Sequence, residues 1–115
     1  MQLRQNEGGF TLMELIVVVV IIGILAAIAV PKYFDLTTNA TSAANKANQK
    51  TIESAILMEY SKRLMANSAT TLASVVSDYN TDATTFFITG AEPKTPSGGS
   101  YTVKVDANGY LKVTY

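Results

Sequence analysis

Cysteine, histidine and tryptophan are all absent from this 115-residue chain. The first absence excludes disulfide staples, zinc–thiolate sites and thiol nucleophiles. The second removes the side chain that carries most general acid/base catalysis, and serine has no paired base at motif spacing. No catalytic set assembles, no cofactor motif is found, and the chain reads as a non-enzyme. An excess of charge of either sign is missing too: nine basic and nine acidic residues cancel, so nucleic acid is not indicated as a partner and there is no acidic tail to attract a cationic one. Partner choice falls to shape and apolar contact.

What is present is concentrated near the N-terminus. Apolar residues run from Phe10 to Val30 with one charge, Glu14, near the start. As a helix at ~1.5 Å per residue this block spans ~31 Å, the thickness of a bilayer's hydrocarbon core. The run from Ile16 to Ile22 is β-branched and would suit a strand in water, but in lipid the backbone must pair within itself, which forces a helix. A carboxylate near the centre of such a segment costs ~2.5–3.5 kcal/mol, less toward an end. No basic residue between Phe10 and Val30 can offset it. Arg4 and the terminal amine against Lys32 and Asp35 favour a cytoplasmic N-terminus only slightly. A secretory signal cleaved after Ala29 is the alternative, since Ala27-Ile28-Ala29 has the small-x-small pattern, but it would place Glu14 inside the apolar region of the signal.

Pro31 ends the block by removing a backbone donor, and Gly23 weakens the helix by ~1 kcal/mol relative to alanine. A kink or local melting is expected between them, near Ala27–Pro31. Lys32, Tyr33 and Phe34 form a cation-and-aromatic belt at the expected membrane edge.

From Asp35 to about Met65 glycine and proline are missing. Leu36, Ala40, Ala43, Ala47, Ile52, Ile56, Tyr60 and Leu64 recur at nearly helical spacing, which predicts an amphipathic helix ending near Asn67. Lys46, Lys50, Glu53, Glu59, Lys62 and Arg63 read as a solvated face, with Glu59 able to pair with Lys62 or Arg63. A helical turn over 71–76, capped by Ser68 or Thr70, is expected next. Phe86-Phe87-Ile88 predicts a strand over Thr84–Thr89, followed by a Gly- and Pro-rich loop over Gly90–Ser100. At the C-terminus, Tyr101–Val105 and Tyr110–Tyr115 alternate about Asp106-Ala107-Asn108-Gly109. This is a β-hairpin with Val103, Val105, Leu111 and Val113 on one side. A small three-stranded sheet needs a second layer, and the stripe Ile52, Ile56, Tyr60, Leu64 supplies it. The fold class is α+β, a long N-terminal helix packed against a small antiparallel sheet.

Asp78-Tyr79-Asn80-Thr81-Asp82 resembles the first half of a calcium loop, making Asp78, Asn80 and Asp82 weak metal candidates. The pattern then fails, with Ala83 in place of the glycine and Thr89 in place of the bidentate glutamate. The tyrosines and phenylalanines read as core and interface packing.

Taken together, Gly9-Phe10-Thr11-Leu12-Met13-Glu14-Leu15, the apolar stretch, Gly23 and Pro31 before an aromatic pair resemble the class III prepilin-like N-terminus of type IV pilins and pseudopilins. The likeness covers Gly8 to about Phe34. It implies a leader, residues 1–9, removed between Gly9 and Phe10 by a prepilin peptidase, with N-methylation of Phe10. It also implies a filament-core helix over 10–31, its amphipathic continuation over 32–66 and a head over 67–115. The subunit would polymerise with itself through an inner-membrane assembly platform, passing from a membrane precursor with a cytoplasmic N-terminus to an extracellular filament. Glu14 would pair with the Phe10 amine of a neighbouring subunit, and the Gly23–Pro31 region would extend on packing. The other readings are a protonated or snorkelling Glu14 and a simple membrane kink at Pro31. A type II secretion pseudopilin is the runner-up, although the major form of that family usually carries a calcium loop. A membrane-tethered module that never polymerises is the third possibility.

Overall fold

The computed structural model describes residues 8–115, and most of the expected leader, residues 1–7 including Arg4, lies outside the described residues. The element order is α1 (Leu12–Ala66), α2 (Leu72–Thr81), a 3-10 turn (Ala83–Phe86), β1 (Thr102–Val105) and β2 (Leu111–Thr114). The class is α+β, as the hydrophobic periodicities require. The chain divides into two compact units, one ending at Thr38 and one beginning at Asn39.

In the first unit every described residue is exposed. Helix α1 is continuous through Gly23 and Pro31. Just beyond Pro31, the hydroxyls of Thr37 and Thr38 donate back to the carbonyls of Tyr33 and Phe34, each at 3.0 Å. The apolar half of α1 is long and hydrophobic enough to cross a membrane, with a mean hydropathy of 3.0 over its most apolar window and none of that window buried.

The second unit has a small core drawn from three elements. Ile52 and Ile56 come from α1, Val75, Val76 and Tyr79 from α2, and Tyr101, Val103 and Val113 from the C-terminal segment. The i, i+4 steps 52/56 and 75/79 place each helix's apolar residues on one stripe, and the period-2 step 101/103 does the same for β1. The hairpin forms as the alternation predicts, with Val103 opposite Val113 and Val105 opposite Leu111. Val103 and Val113 are buried and the other two partly so. Its turn is closed by Asp106 N–H to the Tyr110 carbonyl at 2.9 Å and Gly109 N–H to the Asp106 carbonyl at 3.0 Å. Gly109 has φ 83, the left-handed conformation that such a turn demands.

The expected third strand does not form. Thr84–Phe86 instead lie in the 3-10 turn, begun when Asp82 Oδ1 accepts from Thr84 N–H at 3.1 Å, and 87–89 follow it as irregular chain. Phe86 and Phe87 both pack edge-on against Tyr79, at centroid distances of 5.2 and 6.3 Å, while Ile88 is fully exposed. A continuous apolar run cannot by itself distinguish strand from turn. Here α2 lies beside β1, and Asn80 Nδ2 donates to the Val103 carbonyl at 3.2 Å, while Gln49 Nε2 donates to the Val113 carbonyl of β2, so side chains take a carbonyl on each strand that a third strand could otherwise use. The sheet therefore has two strands.

Three further expectations change. The second helix is longer than a turn and is capped by Thr71, whose Oγ1 accepts from Ser74 N–H at 3.2 Å, in place of Ser68 or Thr70. Leu64 stays 39% exposed and leaves the stripe, while Asn45 joins the buried face. Arg63 is more than part of a solvated face. It donates to Glu59 Oε1 at 2.8 Å and to Asp78 on α2, tying the two helices together.

That tie predicts an acid transition. The hydrogen bond from Arg63 holds the Glu59 carboxyl below its usual value, with Lys62 adding to the effect. Because the folded-state value is the lower one, the stabilisation is complete above the unfolded glutamate value of about 4.3 and is lost as pH falls through the folded value. Denaturant melts should thus weaken below about pH 4.3. A Glu59→Gln chain should show a shallower loss over that window.

Candidate functional site

The site-bearing residues on the sequence lie in two places. At the N-terminal end, Glu14 sits in the first turn of α1, two residues after the helix begins. Its carboxylate is not idle. Thr11 N–H donates to Glu14 Oε2 at 2.9 Å and Glu14 N–H donates to Thr11 Oγ1 at 3.2 Å, a reciprocal capping box. The two bonds satisfy donors that a helix start would otherwise leave open, and the negative charge lies at the positive end of the helix dipole. Thr11 was legible as a helix cap from the spacing Thr11-x-x-Glu14, a signal overshadowed by the membrane-length segment that follows it.

Phe10 precedes this box and is 94% exposed. Its backbone nitrogen is therefore next to the peptide N–H that Glu14 already holds. A Cβ placed on Gly8, Gly9 or Gly23 would meet nothing within 4 Å, and none of the three has positive φ. The folded chain itself thus gives no steric or conformational reason for glycine at position 9.

The half calcium loop falls on the last turn of α2, where each candidate has other work. Asp78 accepts from Arg63, Asn80 caps the β1 edge, and Asp82 accepts from the N–H and hydroxyl of Thr84. Among the described residues no group of three or more Asp and Glu side chains stands together as a potential metal site.

The loop Gly90–Ser100, lacking any disulfide, is held by side-chain amides and hydroxyls. Asn48 Nδ2 donates to the Lys94 carbonyl at 2.9 Å and to Tyr101 Oη at 3.2 Å, and Tyr101 Oη donates to buried Asn45 Oδ1 at 2.8 Å. Gln49 Nε2 donates to the Val113 carbonyl at 2.8 Å. Tyr79 Oη donates to Glu92 Oε1 at 2.9 Å, and burial together with this carboxylate pushes the phenol's pKa upward, keeping it a neutral donor. No buried side-chain nitrogen or oxygen among the described residues lacks a partner. Asn45, Asn48 and Gln49 escaped the sequence reading because apolar periodicity does not register amides.

Residues 4–30 match the family model described as the prokaryotic N-terminal methylation motif. Among characterised proteins, the chain is 55% identical over 47 residues to the type IV narrow pilus major component PilA5 of Thermus thermophilus, covering 41% of this chain and 40% of that protein. It is 55% identical over 55 residues to a fimbrial protein of Pseudomonas aeruginosa, covering 44% and 36%. It is 47% identical over 55 residues to the type II secretion system core protein G of the same species, covering 48% and 39%. The matched stretch spans no more than about two-fifths of each relative. No solved structure matches the chain.

Proposed function

Because the chain carries the N-terminal segment of the type IV pilin and pseudopilin family, we propose that it is a non-enzymatic structural subunit, a pilin that polymerises into a type IV pilus. The observation that carries this reading is the methylation motif over residues 4–30 joined to a long exposed apolar helix. In water that helix would be untenable, so it is covered first by lipid and then by copies of itself.

The steps are those that the likeness to type IV prepilins implies. A prepilin peptidase removes residues 1–9, Phe10 becomes the new terminus and is N-methylated, and an inner-membrane platform passes the subunit from the membrane into an extracellular filament. Cleavage creates a cation directly before the capping box. In a packed helical bundle of low dielectric, the Glu14 carboxylate of one copy and the Phe10 amine of another offset each other's burial. The region from Gly23 to Pro31 is where α1 lengthens on packing, since proline removes one of its hydrogen bonds and glycine weakens the adjacent turn. The leader, the segments 10–31 and 32–66 and the head over 67–115 are the corresponding functional parts.

The absence of any internal need for glycine at position 9 supports a role in recognition by another protein. Gly9→Val should therefore fold normally yet accumulate as uncut precursor, seen as a larger mass with Met1 or Gln2 at its end. Normally cut Gly9→Val would count against the proposal. N-methylphenylalanine at the mature terminus of the wild-type chain is the direct positive test.

A type II secretion pseudopilin is the second reading, favoured by the likeness to core protein G, the relative above that covers the largest share of this chain. Filaments seen on cells at native expression support a pilus. Fibres appearing only on overexpression support a pseudopilus.

A further inference from the structure

Asn108 and Gly109 lie side by side at the exposed hairpin turn. An asparagine followed by glycine is chemically the most labile pairing of this kind, because glycine offers no side chain to hinder attack by its nitrogen. In this structure that nitrogen is engaged, its N–H donating to the Asp106 carbonyl at 3.0 Å. The Asp106 carboxylate grips both flanking positions as well, with Oδ1 accepting from Asn108 N–H and from Tyr110 N–H at 2.9 Å each.

We infer that Asn108 is a site of spontaneous deamidation that Asp106 guards by holding the turn closed. In the reaction the Gly109 nitrogen gives its proton to solvent base and attacks Asn108 Cγ. The new N–Cγ bond replaces the Cγ–Nδ2 bond, and ammonia leaves with a proton taken from water. Water then opens the cyclic imide at either carbonyl, giving aspartate or isoaspartate at position 108. Nothing is oxidised or reduced. The isoaspartate product adds a methylene to the main chain between β1 and β2. The pairing of Val105 with Leu111 is set by this turn, so the product loosens the strand that brings Val113 into the core.

The test uses the full chain in detergent micelles, incubated at neutral pH with peptide mass spectrometry of the Asn108 segment over time. Opening the turn is required for attack, so wild-type protein unfolded in urea should deamidate on the order of tenfold faster than folded protein. Asp106→Ala, verified as folded by circular dichroism, should show a similar acceleration through loss of the acceptor oxygen that holds Asn108 N–H and Tyr110 N–H. Asp106→Asn keeps an acceptor oxygen and should remain close to the wild-type rate. Equal rates for folded and urea-unfolded wild type would overturn the inference, as would a folded Asp106→Ala chain no faster than wild type. If Asp106→Ala does not fold, the wild-type comparison decides the matter, and a folded Asp106→Asn chain deamidating as fast as urea-unfolded wild type would also overturn the inference.

Discussion

Glu14→Gln is expected to leave the chain inserted in the membrane and helical from Leu12, and to yield no filaments. The variant separates two roles of one side chain. Glutamine retains a carbonyl oxygen that can accept from Thr11 N–H, and glutamine serves in capping boxes as glutamate does, so the helix start survives. What it cannot do, in the proposed filament, is offset the charge on the Phe10 amine of a neighbour. Removing one partner of a buried ion pair costs ~3–5 kcal/mol, because the other is left uncompensated. Repeated at every subunit contact, a loss of that size stops assembly. Comparing sheared filament yield with the membrane pool of cut subunit measures the effect. Wild-type filament yield from Glu14→Gln would mean that the carboxylate is protonated or reaches the interface on its own.

Ile56→Ala is expected to have the largest effect on stability. Ile56 and Ile52 are both fully buried and are the only buried apolar residues that α1 gives to the core of the second unit. Truncating a buried isoleucine to alanine costs ~2–5 kcal/mol through lost transfer energy and an unfilled cavity. A unit the size of Asn39–Tyr115 has on the order of 4–12 kcal/mol in total, so a large part of its margin is removed. Urea titrations of the full chain in detergent, followed by the near-ultraviolet dichroism of buried Tyr79 and Tyr101, would show the midpoint fall. Leu64→Ala is the control. That leucine shares the sequence stripe but remains exposed, and its truncation should change stability by less than about 0.5 kcal/mol.

The contrast between these two positions shows how much of the fold the sequence reveals. Ile52 and Ile56 were legible because a helix must bury its bulky stripe, and the hairpin because alternation and a glycine turn agree on the same register. Leu64 misleads because periodicity marks a face without saying how far along the helix the sheet extends. Phe86-Phe87-Ile88 misleads for a different reason, since three consecutive apolar residues carry no period, and the outcome was set by α2 lying beside β1. Of the candidate site, Glu14 stands out because a charge in a membrane-length apolar block demands explanation, whereas Gly9 and Phe10 stand out only through the resemblance to prepilins. Thr11 shared the same motif but was hidden by it. The amides at 45, 48 and 49 could not be foreseen, since their worth depends on which carbonyls and hydroxyls the distant C-terminal segment presents to them.

Those amides have a consequence for where the second unit can fold. A loop closed by Asn48 and Tyr79, beside a strand held by Gln49, contains no bond that an oxidant makes or a reductant breaks. Its folding equilibrium is therefore independent of the thiol–disulfide potential around it. Reducing agents should leave its melting curve in place, and its maturation needs no disulfide-forming catalyst on either side of a membrane.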